Sequence, residues 1–281
     1  MKMFFAILII LIGGYLLFTE AKPTWSLFGS GKDLSEEVKG ADRINIDVSG
    51  MNTKIVPEKR SDLRVELDGK GDVDLTRRGD DIKVKARKGW FNWFGFDRTK
   101  LIIHIPEDYD QELELHNGSG NLTFYGPSDQ MKLKSLKVEI NSGNLKLENI
   151  HAKKFSHDAS SGNVDVKNLK TDQGTFDISS GNVKIKNYTG ALSADLSSGK
   201  LDVQMDELTG DIDVKISSGS AELDLPKDAG FKVKGKVSSG HIDCHFPLEN
   251  EISDRKRIEG IHGSGDHRVD LSVSSGHIKI H

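Results

Sequence analysis

Six of the chain's ten histidines stand after residue 240: His241, His245, His262, His267, His277 and His281. Imidazole nitrogens are ligands for zinc and copper. His241 and His277 each directly follow a Ser-Ser-Gly, and His245 and His281 stand four residues further on. If those two segments are stacked strands, the histidines form two outward-facing pairs of neighbours. The pattern fixes no carboxylate beside them, and alternation turns Cys244 inward. A solvated face is therefore preferred to a metal site, with His241, His245, His277 and His281 as the metal candidates and no cofactor expected.

Serine recurs in a form that a hydrolase needs only once. A nucleophile elbow has the form Gly-x-Ser-x-Gly on a strand-to-helix turn. His116-Asn117-Gly118-Ser119-Gly120 lacks that spacing, and no helical period follows any copy of the Ser-Gly pair. Eight near-copies indicate a structural corner, so the chain is expected not to be an enzyme. Gly263-Ser264-Gly265-Asp266 completes neither a calcium loop nor a phosphate loop. The remaining chemical candidate is GWFNWFGF at 89–96. Trp90, Phe91, Trp93, Phe94 and Phe96 concentrate aromatic surface that can touch lipid, glycan or a partner protein. A plug over an open end of the fold is the competing role.

The elements that must carry these residues follow from the repeat. The glycines are Gly120, Gly143, Gly162, Gly181, Gly199, Gly219, Gly240 and Gly276, spaced by 18 to 23 residues except for a last step of 36. Apolar residues stand three before the glycine, from Ile140 to Val273, and two and four after it, from Leu122 and Phe124 to Ile278 and Ile280. The period is two, which is strand alternation with one face buried. Units of about 20 residues are too short for strand-helix-strand crossovers. A β-solenoid and an antiparallel meander both satisfy the period, and two columns favour the solenoid. Lys146, Asp165, Lys184 and Asp202, three after the glycine, alternate in sign as neighbours on stacked coils should. Asn121, Asn144, Asn163 and Asn182, directly after it, form a candidate amide ladder.

The expected fold is all-β: a solenoid of two short strands per coil over 117–281, closed by an irregular β cap at 42–116. Residues 21–41 read as a juxtamembrane stalk and 1–20 as a transmembrane signal-anchor. The anchor rests on the uncharged run 3–18, MFFAILIILIGGYLLF, about 24 Å long as a helix. Lys2 precedes the run, which places the remainder outside the membrane. A cleaved signal peptide is the alternative. The formal net charge of −4 gives no electrostatic case for nucleic acid. One cysteine, Cys244, excludes a disulfide framework.

The anchor, the β region and repeats of the form Ser-Ser-Gly-Asn-Val-x-Val together resemble the bacterial putative-adhesin family. The resemblance implies a β-solenoid at the outer face of the bacterial cytoplasmic membrane with a link to cell-envelope stress. The partners it implies are the membrane itself, other envelope-stress membrane proteins, or a cell-wall polymer. An adhesin-like module is the alternative function, and a polysaccharide-acting solenoid enzyme a more distant one. The resemblance brings no catalytic or binding residues.

Overall fold

The computed structural model describes residues 32–88, 99–127 and 131–281. The apolar run 3–18 and the aromatic stretch 89–96 lie outside the described residues. Within them, no helix is long and apolar enough to cross a membrane.

The strands stack in parallel as a solenoid. From one end, the coils are 81–106, 43–58, 112–125, 133–148, 152–167, 171–186, 192–204, 212–224, 267–280 and 231–244. From 112–125 onward each coil has one strand before its corner glycine and one after it. The corners are tight enough for the ladder to pass through them, so Asn163–Glu207 run as continuous strand.

Glycine is required at the corner by contact with the coil below. A β-carbon on Gly162 would stand 2.5 Å from the carbonyl oxygen of Gly143, and one on Gly219 2.3 Å from that of Gly199. Gly162 also has φ near +133°, which side chains rarely adopt. Successive backbones therefore close to ladder distance where an alanine would hold them apart.

The order of coils is not the order of the chain. Coil 43–58 lies between 81–106 and 112–125, and coil 267–280 lies between 212–224 and 231–244. One ion pair accompanies the second exchange. Stacking in chain order would set Glu222 against Asp243. The observed order places Lys279 between them, with its ammonium 3.0 Å from Glu222.

Two expected boundaries move. Residues 42–116 hold both strands of two coils and the first strand of a third as well as the cap. Their hydrophobic columns continue the repeat even though their turns do not. The cap proper is antiparallel: Asp62–Asp68 lies on Lys100–Pro106, and Gly71–Arg78 on Asp81–Lys88. Lys32–Glu37, expected within the stalk, pairs with Asp62–Asp68, and a two-pronged Arg64–Asp33 ion pair at 2.8 and 2.6 Å holds it there. The far end is closed by Arg257–His262 on Phe231–Val237, with Glu249–Ser253 outside it. Both open ends of the ladder are thus covered, as a repeat array requires.

The interior is a largely apolar column, and of the polar side chains buried among the described residues (Thr53, Thr99, Asn117, His157 and Thr171) His157 is the most deeply enclosed. His157 is fully buried in the column position that holds Val138 one coil below and Phe176 one coil above. Neither ring nitrogen makes a hydrogen bond. Burial lowers its pKa from 6.5 to about 4, with a weak opposing effect from the Val138 backbone.

Two stability measurements follow. Gly162→Ala should cost at least about 3 kcal/mol in urea unfolding, because it adds both strain and a backbone clash. Gly79→Ala, where φ is +61° but nothing lies within 4 Å, should cost only about 1 kcal/mol. His157 is neutral in the folded state and protonates more readily once unfolded, so its contribution is complete above pH 6.5 and is lost as pH falls towards 4. The loss should be about 3 kcal/mol, and His157→Leu should remove that part of the pH dependence.

Candidate functional site

The corner that fixes coil spacing also arranges the first outward side chain after each glycine. Asn121 donates its amide to Asn52 at 2.9 Å, Asn144 to Asn121 at 2.8 Å, Asn163 to Asn144 at 3.2 Å and Asn182 to Asn163 at 3.1 Å. The ladder proposed from the sequence is therefore present, with one more member. Asn52 escapes the alignment because Met51, not a glycine, stands at its corner opposite Gly120. Each interior amide uses one N–H and one carbonyl lone pair within the ladder. One N–H and one lone pair remain for a ligand.

Beside the ladder runs a trough along the solenoid axis. Two contiguous stretches of about 530 and 640 Å³ share Asn121 and Thr123. One wall is the asparagine ladder. The other is the column two residues on: Lys54, Thr123, Lys146, Asp165 and Lys184 in coil order. Tyr125 is the one large aromatic exposed among the described residues, and the Lys146 ammonium covers its ring at 5.4 Å. Among the described residues the trough can therefore offer fixed amides and ammonium groups, but no open aromatic platform.

A second ladder was missed in the sequence. Asn149, Asn168 and Asn187 all have φ of 56°, and their side chains link at 2.6 and 2.7 Å. They recur at the same 19-residue step as the glycines, and asparagine tolerates the left-handed region better than most residues. That spacing was the available signal.

The histidine pairs meet as the register required. The His241 and His277 rings are stacked at 6.0 Å, and His245 and His281 lie 6.3 Å apart. Carboxylates that the pattern did not fix also take part. His241 Nε2 lies 2.6 Å from Asp243, His277 Nε2 3.8 Å from the same carboxylate, and His281 Nε2 3.0 Å from Glu222. Among the described residues no group of three or more ligand side chains has the geometry of a metal site. Cys244 is half-buried against the core, and burial raises its thiol pKa. Trp90, Phe91, Trp93, Phe94 and Phe96 lie outside the described residues.

Residues 41–281 match the family described as Toastrack DUF4097. The chain belongs to this family. No curated protein matches it. A putative adhesin from Bacteroides fragilis shares the Toastrack architecture with a TM-score of 0.53 at 13% identity, over 90% of this chain and 98% of that one. A putative adhesin from Parabacteroides distasonis gives 0.51 at 14% identity over the same shares. At such identities the likeness is one of fold.

The ladder of this Toastrack chain makes a graded prediction. Asn163→Ala removes two amide bonds and should lower stability by about 1–2 kcal/mol, whereas Asn52→Ala, at the ladder's end, removes one and should cost about half as much. Thermal unfolding of the two variants checks the ratio.

Proposed function

We propose that this chain is a membrane-anchored, extracytoplasmic binding scaffold rather than an enzyme, an accessory of the bacterial cell-envelope stress response. The observation that carries the binding reading is the regular stack itself. Its corners are locked by backbone contact, and its long polar face is held in register by side-chain ladders. Such a face presents groups at a fixed spacing, and among the described residues no long loops rise from it to converge acids and bases on one substrate. The likeness to solved adhesin structures supports the same reading.

The anchor is supported by the uncharged run 3–18, and Lys2 before that run favours the outer side of the cytoplasmic membrane for the solenoid. The stress-response role is supported by resemblance alone. The order of anchor, β region and Ser-Ser-Gly-Asn repeats is most like LiaG, the membrane protein of the Lia envelope-stress operon. An adhesin-like module gripping a wall polymer is the second reading, favoured by the trough along the asparagine ladder.

Crosslinking mass spectrometry on intact cells, with and without a wall-targeting antibiotic, tests the first reading. The tagged chain is compared with a Trp90→Ser/Trp93→Ser variant. Specific membrane-protein partners that disappear in the variant are the expected result. The absence of any protein partner in both conditions would overturn the accessory role and leave the polymer-binding module.

A further inference from the structure

We infer that the trough beside the asparagine ladder binds a linear anionic polysaccharide that carries one carboxylate for every two sugar units. This rests on the reading of the chain as a binding module, and it names the ligand class of that module.

Three observations carry it. The first is charge. The trough is lined by four lysines, Lys54, Lys100, Lys146 and Lys184, and a single carboxylate, Asp165, on a chain whose formal net charge is −4. This stretch is thus net positive, opposite in sign to the whole chain. No ion pair engages Lys54 or Lys100 among the described residues, while Lys146 and Lys184 reach carboxylates only at 3.8 and 3.9 Å.

The second is spacing. Lys54, Lys146 and Lys184 occupy one column on every second coil. Parallel strands lie about 4.8 Å apart, so these ammonium groups recur at about 9.5 Å along a straight line. That is a charge on alternate units of an extended sugar chain, and too sparse for a polymer charged at each unit. Between the lysines, each asparagine offers an amide N–H and a carbonyl lone pair, which suit hydroxyl and acetamido groups.

The third is the covered aromatic. Neutral glycans are held largely by stacking on bare rings, and Lys146 occupies the face of Tyr125. The ammonium that blocks stacking is itself one of the three in the column.

Hyaluronan, in which a carboxylated sugar alternates with an acetamido sugar, is the probe. Chitin oligosaccharides supply the acetamido sugar without the charge, and poly-L-glutamate supplies charge without sugar. The full-length chain in detergent micelles is titrated with each by calorimetry, beside a Lys54→Glu/Lys146→Glu variant and a control, Lys215→Glu, on the strand before a corner and outside the trough lining. Circular dichroism confirms that each variant is folded. Hyaluronan should bind, weaken at least tenfold in the double variant, stay within twofold in the control, and weaken more than tenfold between 50 and 500 mM salt. The other two polymers should bind at least tenfold more weakly. The inference falls if hyaluronan does not bind, if the double variant binds it unchanged, or if either comparator binds as tightly. Partners captured by crosslinking in cells despite such a failure would leave the scaffold reading standing and remove only the ligand.

Discussion

The carbonyl oxygen of each corner glycine occupies the place where a β-carbon of the next corner would be. This single contact sets the closest approach of successive coils at the point where the chain changes direction. If the corners were held further apart, the flanking strands could not both remain in ladder register. The contact recurs from the coil at 112–125 to the one at 231–244, with Met51 as the partner backbone at the start of the series. Side chains with quite different roles depend on it. The inward columns meet their neighbours at van der Waals distance, and the outward amides meet at hydrogen-bond distance.

The asparagine ladders show how this backbone constraint becomes surface chemistry. An amide on an ordinary exposed strand samples several rotamers and spends its hydrogen bonds on water. Here each is fixed by the amides above and below, at a spacing the backbone has already set. The cost of ordering the side chains is met within the fold, so a ligand that uses the remaining N–H groups need not order them again. The same stacking divides the face along its length. Lysines dominate beside the ladder, and histidines paired with carboxylates dominate at the far end.

Much of this architecture could be read from one chain. The glycine column, the two-residue period, the ladder from Asn121 to Asn182 and the pairing of His241 with His277 each depend on contacts between residues at equivalent positions, and a repeat displays those directly. Other features are set by interactions that a simple alignment on glycine does not contain. Asn52 was hidden by one non-glycine corner. The asparagines at 149, 168 and 187 share the repeat but sit at a second corner, whose geometry depends on left-handed backbone. The stalk residues Lys32–Glu37 become a strand because a cap formed later in the chain provides their partner and Arg64 provides a charge. Coil 267–280 lies between 212–224 and 231–244, a place that the order of the chain does not reveal.

The exchanged coil order has a consequence for where the molecule can begin to come apart. In a simple repeat array the coils nearest the ends of the sequence have one neighbour each and are the first to fray. Coils 43–58 and 267–280 instead have a neighbour on each side, so releasing either one means breaking two ladders at once. The weakest places are then the antiparallel capping segments: Lys32–Glu37, which pairs with 62–68 alone, and the segments at 71–78 and 249–262. Local opening should start there, and an unfoldase or protease acting on the folded solenoid would find its entry in the caps rather than at these sandwiched coils.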